Sequence, residues 1–185
     1  GCSVVTDAFE LDAPQILSTG IVTKSDASCN AGFDGFVRAA ALGGSPPYQF
    51  IWSNGRQGSL ITGLSPGNYS VTIQDQNNCT DIIENIVIGE PEPLQLELIN
   101  LENQVCPGQN EGLADINVSG GTKPYSYRWS NGRFVEDLIN VPAGNYSITV
   151  TDFNACPAVL TNILIEDPTP INVQLDSITR PRCPG

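Results

Sequence analysis

The sequence predicts an all-β protein made of tandem immunoglobulin-like β-sandwich modules in an elongated array, and three observations carry that prediction. Six cysteines form two sets, Cys2, Cys79, Cys156 and Cys29, Cys106, Cys183, whose members stand 77 residues apart. Short runs of Val, Ile, Leu, Thr and Tyr alternate apolar with polar residues and are punctuated by 14 Pro and 18 Gly, the pattern of half-buried strands joined by turns. No long stretch has the 3.6-residue apolar period of a helix.

The prolines share the period: Pro14, Pro91 and Pro168 each follow a cysteine of the first set by 12 residues and precede one of the second by 15. Two complete modules are therefore expected at 14–90 and 91–167, preceded by the end of another repeat (1–13) and followed by the first strand of a further one (168–185). On this expectation the chain is a piece cut from a longer array, and no signal peptide is looked for. Overlaid without a gap, the two modules share 24 identities in 77 positions, concentrated where β-proteins need special residues. Gly43-Gly44 and Pro47-Tyr48 match Gly120-Gly121 and Pro124-Tyr125; Trp52 to Arg56 matches Trp129 to Arg133; Gly67 to Ser70 matches Gly144 to Ser147; Asp75, Asn77 and Cys79 match Asp152, Asn154 and Cys156.

Module two shows the strands most clearly. Leu94, Leu96 and Leu98 alternate with Gln95 and Glu97, and Ala114, Ile116 and Val118 with Asp115, Asn117 and Ser119. Tyr125 to Trp129 is a third strand, closed by a Ser-Asn-Gly turn whose Asn-Gly step readily takes positive φ. A short apolar run (Leu138, Ile139, Val141) leads to a Pro-Ala-Gly turn, after which Tyr146, Ile148 and Val150 point inward. A last strand, Val159 to Ile165, ends at Glu166-Asp167-Pro168, where proline halts the ladder. Six strands, or seven, with turns every 8–12 residues are the signature of a β-sandwich. The stretch Leu60 to Tyr69 has the form of a tyrosine corner, in which the Tyr hydroxyl ties back to the backbone.

Composition excludes several function classes. With 8 Lys+Arg against 20 Asp+Glu the net charge is -12, which repels nucleic acid and anionic membrane surfaces, and no apolar run is long enough to span a bilayer. The chain has no His, so Ser-His-Asp and Cys-His machinery and His-based zinc sites are absent. No phosphate loop or cofactor fingerprint is present, and the two copies share no carboxylate pair set in a cleft as a glycosidase requires. An enzyme is not expected, nor is a cofactor.

The blocks G-G-x-x-P-Y-x-x-x-W-S-N-G, P/A-G-N-Y-S and D-x-N-x-C together resemble the SprB-type repeat of Bacteroidetes surface proteins. The resemblance covers both complete modules and both partial ones; one departure is that the position after the acidic-Gly pair, usually small, holds Phe36 or Leu113. It implies export by the type IX route and arrays of modules in large cell-surface adhesins, including the gliding-motility adhesin. The motif identifies a scaffold rather than a ligand.

Tyr48, Phe50 and Trp52, with Tyr125, Tyr127 and Trp129 in the second copy, share one strand face and could stack on a sugar. The expected role is instead core filling by Tyr48, Trp52, Tyr69, Tyr125, Trp129 and Tyr146. Asp75, Asn77, Asp152 and Asn154 place oxygens of the kind calcium takes in tight turns, and Glu90, Glu92, Glu166 and Asp167 lie at the junctions. Capping of local backbone is the expected use of the turn residues. In an exported protein the cysteines should be oxidised. Three pairings respect the period: within a module (Cys29–Cys79, Cys106–Cys156), across the proline (Cys79–Cys106), and between poles (Cys29–Cys156). A seventh strand after Trp52 would put Cys79 at the opposite pole from Cys29. The six residues between Trp52 and Ser59 are few for one, so the within-module bond is expected, leaving Cys2 and Cys183 to pair outside the fragment.

The function expected is a structural or adhesive segment of a large bacterial surface adhesin or filament, whose partners are further copies of the repeat and, at the adhesive surface, glycans. The alternative is a set of glycan-binding or spacer modules in a secreted polysaccharide-degrading enzyme.

Overall fold

A computed structural model describes residues 15–177; the expectations placed on 1–13, Cys2, Cys183 and 178–185 lie outside the described residues. The chain divides into two units at Pro93/Leu94, here called module one and module two. Module one contains β1 (Ser18–Ser25), β2 (Gly35–Leu42), β3 (Gln49–Trp52), β4 (Leu60–Leu64), β5 (Gly67–Gln74) and β6 (Thr80–Ile88). Module two repeats them as β7 (Gln95–Glu102), β8 (Gly112–Ser119), β9 (Ser126–Trp129), β10 (Leu138–Val141), β11 (Gly144–Thr151) and β12 (Pro157–Ile165). Each module has two three-stranded antiparallel sheets, β1-β2-β4 and β3-β5-β6 in the first, β7-β8-β10 and β9-β11-β12 in the second.

The period-two pattern fills the space between the sheets. In module one Val37, Ala39, Trp52, Ile61, Val71 and Ile73 are among the residues of one buried cluster; in module two Ala114, Ile116, Trp129, Leu138, Ile148 and Val150 take the equivalent places. Trp52 and Trp129 are 2% and 1% exposed, and each indole N–H donates to a backbone carbonyl, Gly58 at 2.8 Å and Val135 at 2.9 Å. An indole can be buried only if that donor finds a partner. Tyr146 is buried too, while Tyr48, Tyr69 and Tyr125 are half-buried against the same clusters. The corner tyrosines tie back as the sequence suggests: Tyr69 donates to the Ser65 carbonyl at 2.9 Å and Tyr146 to that of Pro142 at 2.8 Å. The peptide bonds before Pro47 and Pro124 are cis.

The route between β3 and β4 decides where the cysteines lie. β3 and β4 belong to different sheets yet run in the same direction, because Gln49 and Trp52 face Gln74 and Val71 while Leu60 and Leu64 face Arg38 and Gly35. The chain must therefore reverse between them. It does so in a tight hairpin: the Trp52 amide donates to the Arg56 carbonyl, the Gly58 amide to that of Phe50, and Ile51 forms an isolated bridge with Gln57. This return leg is one bridge long, yet it inverts the direction of every later strand. The chain enters module one at the end holding Leu42, Gln74 and Thr80, termed the proximal pole, and leaves past Ser25, Gly35 and Ile88, the distal pole.

This corrects the expected cysteine pairing. Cys29 follows β1 at the distal pole, and Cys79 precedes β6 at the proximal pole; Cys106 and Cys156 are separated in the same way in module two. A strand of eight residues spans about 26 Å at roughly 3.3 Å per residue, against the 7 Å or so that a disulfide allows between α-carbons. Accordingly Cys79 and Cys106 carry free, exposed thiols, while Cys29 and Cys156 are disulfide-bonded. Neither Cys29–Cys79 nor Cys106–Cys156 forms. Residues 168–177 carry no regular secondary structure.

Candidate functional site at the module poles

The residues shared by the two copies converge on the poles. At the proximal pole of module one, Asp75 directly follows β5 and is buried. Its Oδ2 accepts the Ser45 amide at 2.9 Å, and its Oδ1 accepts those of Asn77 and Cys79, both at 2.9 Å. The Asn77 side chain donates to Ser45 Oγ at 2.9 Å, so one acidic side chain and one amide clamp the β2–β3 loop to the β5–β6 turn. Module two repeats the clamp: Asp152 accepts the amides of Thr122, Asn154 and Cys156 at 2.8, 2.9 and 2.8 Å, and Asn154 donates to Thr122 Oγ1 at 3.1 Å. Gly43 and Gly120, at φ 69° and 71°, offer their carbonyls to the hydroxyls of Tyr48 and Tyr125 at 2.7 and 2.6 Å.

Of the four residues considered as calcium donors, Asp75 and Asp152 turn their carboxylates to backbone N–H groups, and Asn77 and Asn154 donate their side-chain amides to the Ser45 and Thr122 hydroxyls. Among the described residues no three His, Cys, Asp or Glu side chains are grouped to hold a metal ion.

Asp75 is 6% exposed, and its pKa lies below the ordinary 3.8, chiefly through the Ser45 amide, opposed by burial and helped by the Cys79 and Asn77 amides. A lowered folded-state pKa adds stability above the unfolded value, and that stability is lost as pH falls through the folded one. The melting temperature of module one in the wild type should therefore exceed that of Asp75→Asn by a constant margin above about pH 5, and the margin should close below 3.8. Thermal melts between about pH 2 and 7 check this; a margin independent of pH would count against the clamp.

At the distal pole the β1–β2 turn grips the outgoing chain. Asp26 Oδ1 accepts the Gly89 amide and the Lys24 ammonium, both at 3.0 Å, and these two groups hold its pKa low. The Ala27 amide donates to the Gly89 carbonyl at 3.0 Å, the Ala31 amide to the Glu90 carboxylate, and Asn30 Nδ2 to the Pro91 carbonyl at 3.2 Å. In module two Asn103 Oδ1 accepts the Glu166 amide at 2.9 Å, and Asp167 accepts that of Gly108 at 3.1 Å. Of the junction acids, Glu90 and Asp167 hold turn amides, Glu166 contributes its backbone, and Glu92 is exposed.

Two features are not visible in the sequence. A shallow polar depression of about 320 Å3, lined by Ser53, Asn68, Tyr69, Ser70, Glu84 and Asn85, recurs in module two at about 280 Å3 among Ser130, Asn145, Tyr146, Ser147, Thr161 and Asn162. In module two Glu136 and Asp137 stand beside both Asp115 and Tyr127, and the Tyr127 pKa is pushed up to about 12 by burial and then by Glu136. Arg38, Ser59, Leu60 and Phe50 stand at the equivalent places in module one, so this cluster belongs to one copy and not to the repeat.

The fold and its repeated poles define a tandem immunoglobulin-like β-sandwich protein. The SprB repeat family model matches the chain twice, over residues 21–57 and 98–134, windows offset by the same 77 residues as the cysteines. No curated protein sequence matches the chain. Among solved structures it is similar to the three N-terminal domains of the highly immunogenic outer capsid protein (Hoc) of bacteriophage RB49, at 18% identity and a TM-score of 0.50, over 80% of this chain and 59% of that one. It is also similar to a C-terminal 282-residue fragment of intimin solved in complex with the intimin-binding domain of the translocated intimin receptor, at 13% identity and a TM-score of 0.43, over 83% of this chain and 64% of that one. The chain therefore spans less than two thirds of either structure.

Proposed function

We propose that this chain is a structural and adhesive repeat segment of a large bacterial cell-surface adhesin or filament, exported to the cell surface, in which the modules serve as stalk and present adhesive surface. The observation that carries this reading is the repetition itself: two matches to the SprB repeat at a 77-residue offset, each copy with the same clamp at one pole and the same grip on the outgoing chain at the other. The side chains common to both copies are spent on folding and joining, which suits a module whose role is to be concatenated. The recurring polar depression is the surface the copies share, and a ligand bound by the repeat, such as a surface glycan, would seat there.

The test is an in-frame deletion of the segment encoding residues 14–167 in the parent protein of the source bacterium. Attachment of cells to a surface should fall while secreted polysaccharide-degrading activity is unchanged. Loss of that activity with unaltered attachment would favour spacer modules of an enzyme.

A further inference from the structure

The polar depression of each module is built on a strand irregularity that both copies keep. In module one Tyr69 faces Ile86 and Val71 faces Ile83, so Ser70 stands opposite two residues, Glu84 and Asn85. In module two Ser147 stands opposite Thr161 and Asn162 in the same way. The bulge is made by an asparagine at positive φ, 56° in Asn85 and 62° in Asn162, a conformation that asparagine takes more readily than most residues bearing a Cβ. Bulges of this kind re-aim side chains and are frequent next to active sites.

The groups left on this outer sheet face are ones the fold does not use. Asn68 and Ser70 alternate with Tyr69 and Val71, which pack in the core, and so point outward. Among the described residues the side chains of Asn68, Ser70 and Asn85, and those of Asn145 and Ser147, make no hydrogen bond. The neighbouring shared polar residues are engaged: Ser53 accepts the Ser70 amide at 3.1 Å, Asn54 accepts the Arg56 amide at 3.2 Å, and Arg56 donates to the Thr62 carbonyl.

We propose that this face of each module binds an uncharged glycan, one sugar ring to a depression, with Asn68 and Asn145 as the principal contacts; the proposal rests on the adhesive reading given above. Amides and hydroxyls both donate and accept, which matches the adjacent hydroxyls of a sugar. The lining holds no cation to balance a phosphate, sulfate or carboxylate. Glu84 in module one would repel such a group, and the net charge of -12 disfavours acidic polymers generally. A peptide strand does not suit the face, because β5 is paired on both sides, by β3 and β6, and offers no free backbone edge. Volumes of about 320 and 280 Å3 fall at the small end of ligand sites, which run from roughly 300 to 1,000 Å3. Each site is therefore weak by itself, and its repetition along an array supplies the strength.

The 185-residue chain, fluorescently labelled at its amino terminus, tests this on an array of uncharged, carboxylated and sulfated polysaccharides. Beside it runs the double variant Asn68→Ala/Asn145→Ala, whose replaced side chains have no internal bond and whose melting should match the wild type. Binding is expected on uncharged glycans only, and about tenfold weaker per site in the variant, as loss of a ligand hydrogen bond entails. If the variant melts early, Ser70→Ala/Ser147→Ala replaces it and is read in the same way. The proposal is overturned if the wild type binds no uncharged glycan, if it prefers the charged ones, or if the folded variant binds as tightly as the wild type. A chain that binds no glycan, while deletion of 14–167 still abolishes attachment of cells, removes this site and leaves the adhesive reading standing.

Discussion

Trp129→Ala is expected to destabilise module two severely and leave module one intact. The indole is 1% exposed, packs within the core cluster of its own module, and donates to the Val135 carbonyl at 2.9 Å. Truncating a buried aromatic costs about 3–5 kcal/mol, and Val135 would also lose its donor. Small domains have about 5–15 kcal/mol in total, so the loss is a large fraction of the stability of a 77-residue sandwich. Trp52 then becomes the sole fluorophore of its kind and reports on module one. Chemical denaturation should show its transition near the wild-type midpoint, alongside a separate far-ultraviolet transition for module two shifted to much lower denaturant. If the variant melts like the wild type and loses only a ligand, Trp129 belongs to a binding surface and the core assignment is wrong.

Gly43→Ala should be nearly as damaging, for a backbone reason. Gly43 sits at φ 69°, and a methyl group there would meet the carbonyl of Ile16. The left-handed conformation costs an L-residue about 1–2 kcal/mol, and displacing backbone to make room adds about 1–3 kcal/mol. Gly55→Ala separates the two effects, because Gly55 has φ 80° but no atom within 4 Å of the new methyl, so only the conformational cost of about 1–2 kcal/mol applies. Equal losses in the two variants, measured by thermal melts of module one, would show that the loop carrying Gly43 gives way freely and does not brace the pole.

The strands most legible in the sequence were those that bury one face and so follow the period of two, β2, β5, β8 and β11. Tyr146, Ile148 and Val150 face the core while Ser147 and Thr149 do not, and the repeat doubles the signal at each position. The tyrosine corner was legible for a similar reason, since its hydroxyl reaches only four residues back. What the sequence hides is direction. The return leg that inverts the chain after β3 is a single bridge between Ile51 and Gln57, too short to show any periodicity, and the six residues there look like a simple turn. Because of that one reversal the within-module disulfide looked reasonable and is geometrically impossible. The Asp75 clamp was half legible: Asp-x-Asn-x-Cys reads as a capped turn, but the amide that contributes most, Ser45, lies 30 residues away in sequence. Gln104 is buried with its Nε2 donating to the Val141 carbonyl and its Oε1 accepting the Glu111 amide; Ala27 stands in its place in module one, so the overlay of the copies does not reveal it.

The central claim is that these modules stand on the outside of a bacterial cell as part of an adhesive array, and brief trypsin treatment of intact cells of the source bacterium tests it most directly. Peptides from residues 25–177 should be released into the supernatant by mass spectrometry within minutes, before any cytoplasmic marker appears, and cells so treated should lose attachment. Recovery of these peptides only after lysis, or only from cell-free culture fluid in fractions that degrade polysaccharide, would contradict the account.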